Sequence, residues 1–274
     1  MFLADYHIHS TCSFDAFNTM TEMAEAARNR GIGQLCFTDH LDFDIPETLQ
    51  IGDDLTLPAE QAGQYADALA ETGMDIRLGL ELGEGNHDAA RALAIYAMPD
   101  YDFILGSLHN LRDTPDFYYL QYTDEDYCYW LYERYLDELL ELSALNCFDT
   151  LAHLGYCRRY MAKQGQSAAV TMERHGDKVD AILRTLIAGG RGIELNCADL
   201  VPGGREDPLL ETFPSVPILR RYRELGGEYI TVGSDAHTTR AAGVGVEAGF
   251  ALLRDCGFRY VTTYRKHLPE MIKL

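Results

Sequence analysis

The chain has 274 residues, 47% hydrophobic and 24% charged, with 43 acidic against 23 basic side chains and a formal net charge of −20. This length suits a single α/β barrel without a second domain, and the acidic balance excludes the basic stripe that a nucleic-acid surface needs. Seven cysteines without a Cys-x-x-Cys pair point to the reducing cytoplasm, and no apolar run approaches the roughly 20 residues of a membrane span.

The first β-rich run, FLADY, ends in His7-Ile8-His9, and with a candidate ligand already at residue 7 no cleaved leader is expected. Thr19 or Thr21 can cap a helix running to about Arg30, with Gly31 as its stop signal. A second strand over 34–38 precedes Asp39-His40. Residues 41–58 are polar and interrupted by Pro46 and Pro58, so they read as a long loop over the strand ends and a candidate lid. A helix over 59–72 leads through Gly73 to a third strand, 75–82, which carries Glu81. The alanine-rich stretch 88–97 leads to a fourth, 101–108, followed by His109. Residues 124–146 form the longest helical segment, opened by acids, and its tyrosines and Trp130 read as core or interface.

A fifth strand over 148–152 ends at His153; HLGYCRRY and a loop to Thr171, a candidate cap, lead into a helix to Ala188. A sixth strand spans 192–196. Residues 199–217 hold four prolines and form a second long loop, before a helix near 218–225 and a seventh strand, 229–233, that ends in Ser234-Asp235-Ala236-His237. Seven strand-helix units are counted. With no internal repeat or linker, one domain over 1–274 is expected, and parallel α/β barrels gather chemistry at the C-terminal ends of their strands.

Residues two apart on a strand project to one side, so His7 and His9 can reach the same ion. Asp235 and His237 repeat that spacing at the last strand, with His40, Glu81, His109 and His153 at strand ends between. The joint reading is a multinuclear metal site. Taken singly, Asp39-His40 reads as a helix cap with a polar neighbour, Glu81 as an ion-pair partner, and His109 and His153 as core histidines. In the joint reading Asp39 orients His40, and the two oxygens of Glu81 can serve two ions. Asp15 is either a cap or a ligand. His87, His175 and His267 lie away from strand ends and read as surface residues. The cysteines near the site, Cys12, Cys157 and Cys197, read as packing. Arg158 and Arg159 follow the His153 strand end, where guanidinium groups can clamp a phosphate, and Arg205 is a weaker candidate for the same role.

The segments DYHIHS at 5–10, FTDH at 37–40, GLELG at 79–83, GSLHN at 106–110, AHLGY at 152–156, ELN at 194–196 and GSDAH at 233–237 resemble, in order and spacing, the PHP (polymerase and histidinol phosphatase) family. The likeness is nearest to its stand-alone histidinol-phosphate phosphatases and covers nearly the whole chain. It implies a distorted seven-stranded, TIM-like β/α barrel holding two or three divalent ions (Zn, Mn or Fe). One ion would lie on His7, His9, Glu81 and Asp235, a second on Glu81, His109 and His153, and a third on Asp15, His40 and His237. Asp15 stands where many relatives have histidine. The resemblance also implies hydrolysis of a small phosphate ester, first of all L-histidinol phosphate, with Glu81 and Asp235 as catalytic groups. One departure concerns substrate: the Arg-Lys element usual after the sixth-strand Glu-x-Asn is replaced by ADLVPGGREDP, where Arg205 can fill the place. Competing readings are a phosphatase or phosphodiesterase for another small ester, a metal-dependent amidohydrolase, which would bridge its ions with a lysine that the fourth strand lacks, and a silent metal-stabilised binding module.

Overall fold

The computed structural model describes residues 2–166, 172–200 and 213–274. Seven parallel strands, β1 (Ala4–Ile8), β2 (Gln34–Asp42), β3 (Asp75–Gly83), β4 (Phe103–Ser107), β5 (Thr150–Leu151), β6 (Gly192–Asn196) and β7 (Ile230–Gly233), pair in sequence order. Around them lie α1 (Met20–Asn29), α2 (Ala59–Thr72), α3 (Ala89–Tyr96), α4 (Glu125–Ala144), α5 (Tyr156–Lys163), α6 (Met172–Ala188), α7 (Val216–Glu224) and α8 (Val246–Asp255). Every residue of β1, β2, β4, β5, β6 and β7 is buried, as expected when helices cover the outside of a parallel sheet and side chains fill its inside. Local signals set several boundaries. Thr19 and Glu22 form a reciprocal capping box at the start of α1, and Gly73 ends α2 with φ of 62°. Among the described residues no helix is long and apolar enough to cross a membrane.

The barrel closes unevenly. β7 meets β1 at the C-terminal rim, where Asp235 N donates to His7 O (2.7 Å) and His9 N to Ala236 O (3.0 Å). At the opposite end a hairpin of β8 (Tyr260–Arg265) and β9 (Leu268–Lys273) fills the gap. Ile230 N donates to Thr262 Oγ1 (3.0 Å), Tyr264 N donates to the Tyr6 hydroxyl (3.0 Å), and that hydroxyl donates to Gln34 Oε1 (2.7 Å). The rings of Tyr6, Phe103 and Tyr264 form a floor, with centroids 5.2 and 4.9 Å apart. Tyr6→Phe leaves a buried N–H and a buried amide oxygen without this partner, so it is expected to lower unfolding free energy by about 1–3 kcal/mol in urea titration.

Several expectations are corrected. HLGYCRRY is not the start of a plain loop: residues 156–163 form α5, which begins after Gly155 (φ 110°) and lacks a side-chain cap, so no capping residue marked it in the sequence. β2 continues to Asp42, which places His40 inside the strand and shortens the candidate lid. The stretch after residue 240, left without elements, holds α8 and the hairpin. The three dismissed histidines are not surface residues: His175 is buried against Tyr132 and Tyr129, His267 ties the hairpin turn to Asp149 (2.8 Å), and His87 bridges two carboxylates. In α4, Tyr132 and Tyr135 are core while Trp130 stacks on Tyr127 at the surface.

Candidate metal centre

All nine sequence-predicted ligands gather at the C-terminal rim. At the centre stands the carboxylate of Glu81 on β3, only 1% exposed. Its Oε2 lies 3.1 Å from His7 Nε2, 3.2 Å from His40 Nδ1 and 3.5 Å from His9 Nε2. Its Oε1 lies 2.9 Å from His153 Nε2 and 3.2 Å from His109 Nε2, and accepts from Ser107 Oγ at 2.6 Å. Asp235 Oδ1 is 3.6 Å from both His7 Nε2 and His9 Nε2. On the outer side Asp15 approaches His237 Nε2 (3.2 Å) and His40 Nε2 (3.9 Å), while the His9 ring stacks between those of His40 and His237.

The imidazoles are held from behind. His7 Nδ1 faces Glu194 Oε1 (2.7 Å), His9 Nδ1 faces Ser13 Oγ (3.1 Å), His109 Nδ1 faces Asp42 Oδ1 (2.9 Å) and His237 Nδ1 faces Asp235 O (3.0 Å). A proton kept at Nδ1 by such partners leaves the Nε2 lone pair for a cation, the usual arrangement behind a metal-binding histidine. Asp39 does not orient His40. Its carboxylate accepts from Ser10 N (2.6 Å) and Ser13 Oγ (2.8 Å), and so steadies the serine behind His9. Sequence reasoning missed two carboxylates here, Asp42 and Glu194. Asp42 stands two residues beyond His40 on the same strand, a spacing that could have revealed it. Glu194 lay within the quoted ELN segment but was given no role; it also accepts from His153 N at 2.7 Å.

This donor set fits divalent cations. Among the described residues, buried His9 Nε2, Asp15 Oδ1, His40 Nδ1 and Asp42 Oδ2 have no hydrogen-bond partner, a costly state that a cation would relieve. Four overlapping groups, His9/His40/His237, His7/His9/Glu81, His40/Asp42/His109 and Glu81/His109/His153, each bring their ligand atoms within 4.8 Å of one another. Burial disfavours charge on His7 and His109, yet the carboxylates beside them outweigh it and raise both pKa values well above the ordinary histidine range. Burial and the neighbouring imidazoles instead lower His9 to about 3. Burial would raise Glu81 and Asp235, but the surrounding imidazoles, joined by Arg159 at Asp235, hold both well below the carboxylate range. Without a cation, protons therefore occupy imidazoles that a metal must claim. Metal uptake is expected to release protons, and titration calorimetry at pH 7 in two buffers of different ionisation enthalpy reads that release directly.

The two arginines of α5 separate. Arg159 is buried, with Nη1 3.2 Å from Asp235 Oδ2, Nη2 donating to Asn196 Oδ1 (3.1 Å) and Nε 3.3 Å from Asp199 Oδ2. Arg158 is half-buried, and its charge bears on Cys157 and on His175 of α6. Arg205 lies outside the described residues. Next to the ligand cluster opens a cleft of about 780 Å³, walled by Phe14, Tyr118, Tyr119, Tyr156 and Tyr160 and rimmed by the acids Asp15, Asp44, Glu47 and Asp116 together with Lys163.

The PHP domain model matches residues 5–198. The probable histidinol-phosphatase of Clostridium acetobutylicum is 25% identical over 260 residues, covering 94% of this chain and 95% of that protein. The histidinol-phosphatase of Lactococcus lactis is 27% identical over 268 residues, covering 95% and 93%. Among solved structures, histidinol phosphate phosphatase from Lactococcus lactis, complexed with zinc, L-histidinol and phosphate, superposes with a TM-score of 0.79 at 24% identity over 98% of each chain. Its likeness extends to the whole barrel.

Proposed function

Because this chain belongs to the PHP domain family, we propose that it is a metal-dependent phosphomonoesterase that hydrolyses L-histidinol phosphate to L-histidinol and phosphate, as a single barrel unit. The observation that carries this reading is the ring of five imidazoles within 3.5 Å of the Glu81 carboxylate, backed by relatives named for that activity. One ion would be held by His7, His9, Glu81 and Asp235, a second by Glu81, His109 and His153, and a third by Asp15, His40 and His237. Asp42 and Glu194 would orient ligands from behind. When bound, the cations supply Lewis acidity, which offsets phosphoryl charge and makes water a stronger acid.

The residues of the chain divide the remaining work. Arg159, kept charged despite its burial by Asp235 and Asp199, presents a fixed cation for the phosphoryl oxygens. Asp235, held ionised, would bind the first ion through Oδ1 and keep Arg159 in place through Oδ2, and is the side chain placed to receive the proton of the attacking water once the cations have made that water more acidic. Arg205 is kept as a proposed further phosphate contact on the resemblance alone, and Arg158, whose charge bears on Cys157 and His175, as a weaker one. The aromatic walls and acidic rim of the cleft suit a small leaving group that carries a cationic amine. With the net charge of −20, that rim also supports a small-molecule substrate over a nucleic acid. Seven buried, unpaired cysteines support a cytoplasmic setting.

Stringent chelation is expected to abolish phosphate release from L-histidinol phosphate, and Mn, Zn or Fe to restore it. A preparation fully active without metal would overturn the reading. Arg159→Ala is expected to lower kcat/KM for this substrate by about 100-fold, the value of a lost charge-assisted phosphate contact of about 2.7 kcal/mol, checked by steady-state kinetics.

A further inference from the structure

The turn between β3 and α3 carries His87, whose side chain is 9% exposed and lies between carboxylates from two other elements. Its Nδ1 is 2.7 Å from Asp44 Oδ2 in the β2–α2 loop, and its Nε2 is 2.9 Å from Glu138 Oε2 on α4. A carboxylate at each ring nitrogen needs a donor at each, and only the imidazolium has two N–H groups. The α4 end of this bridge is firmly fixed: Glu138 Oε1 accepts from Arg112 N (3.2 Å), Oε2 from Asn86 Nδ2 (3.4 Å), and His87 N itself donates to Glu84 O (2.7 Å). The other end is a loop. Around Asp44 its backbone bonds Ile45 N to Asp42 O and Thr48 N to Ile45 O are both 3.4 Å long and local; the loop is tied back further on by Thr48 Oγ1 to Ile45 O (2.9 Å) and Leu49 N to His40 O (2.9 Å), and Asp44 itself by Asn110 Nδ2 (2.8 Å). Asp44 and the three residues after it form one wall of the cleft beside the metal centre.

We infer that His87 is a positioning residue, whose bridge from Glu138 to Asp44 fixes the cleft wall against which the leaving group binds. Its kinetic consequence rests on the phosphatase reading; its structural consequence does not. The charged groups around the ring are Asp44 from the loop, Glu138 from α4, Glu84 from its own turn, and Arg112, whose Nη1 is 3.8 Å from Glu138. Asp88, next in the chain, is occupied in capping α3. Burial disfavours the cation, but the bonds to Glu138 and Asp44 outweigh it and raise the pKa above the usual 6.5. The bridge is therefore complete below that usual value and is lost as pH rises through the raised one.

The test compares wild type with His87→Gln and Glu138→Gln, neither residue lining the cleft. Hydrogen exchange should show backbone protection over residues 43–50 falling about tenfold in both variants, and in wild type as pH rises, with no such pH step in His87→Gln. KM for L-histidinol phosphate should rise about tenfold, with kcat within about twofold of wild type. Unchanged protection in folded Glu138→Gln, or no pH step in wild type, overturns the bridge. Lost protection with unchanged KM overturns the positioning role while leaving the bridge. Failure of every variant and of wild type to hydrolyse the ester overturns only the substrate reading, because the exchange result stands without it.

Discussion

Glu81→Gln is expected to strip the centre of metal and reduce kcat/KM for L-histidinol phosphate by about 1,000-fold or more. One carboxylate faces five imidazoles through two oxygens, and an amide of the same shape offers one neutral acceptor and a donor turned toward groups that already carry protons. If Glu81 is shared by two cations as proposed, losing it removes about 4 kcal/mol of differential stabilisation, which converts to that factor. The same change should also destabilise the metal-free protein. His7 holds its proton largely because Glu81 balances it, His109 because Asp42 and then Glu81 do, and an uncompensated buried charge costs about 3–5 kcal/mol. Metal content by mass spectrometry, urea unfolding after chelation and steady-state kinetics check the three effects separately. A variant that keeps its metal and its rate would remove Glu81 from the centre of the site.

Gly233→Ala should harm the protein by a different route. A Cβ at this position on β7 would sit 2.2 Å from His7 Cβ and 2.4 Å from Glu194 Oε1. Neither neighbour is a flexible tip: His7 is in β1, and Glu194 is held by its contacts to His7 and His153. The methyl must therefore push apart the two strands that close the barrel, at about 1–3 kcal/mol, and carry His7 away from Glu81. Thermal unfolding should show a lowered Tm whose size depends on metal, since the displaced ligand also weakens binding. Gly63→Ala provides the contrast. It makes the same chemical change on the exposed face of α2 with nothing within 4 Å, and should stabilise by about 1 kcal/mol.

The gathering of the candidate ligands was legible in the sequence because parallel strands end on one rim, so a strand signal followed by histidine or carboxylate already specifies a place in space. The strand β6 and helix α2 matched their expected bounds because glycine or proline punctuates each of them. The same logic failed for groups that work inside strands. Glu194 carries no mark that distinguishes a ring-orienting carboxylate from any other buried acid, and Asp42 is marked only by its two-residue spacing from His40; the rings behind which they stand reveal their roles. The hairpin was invisible for another reason. Its turn places Lys266 and His267 at φ of 50° and 62° without the glycine or asparagine that usually announces such a conformation, and β9 is almost wholly exposed, so it lacks an apolar alternation. α5 was hidden by its three charges, all basic, and by the glycine before it.

The seam between the first and seventh strands has a consequence for the order of folding. His7 and Asp235 are neighbours across that seam although more than 200 residues separate them in the chain. Contacts so distant in sequence close slowly, so a chain in which β7 has not yet docked on β1 carries its imidazoles without a chamber in which to use them, and competence arrives in a single late step.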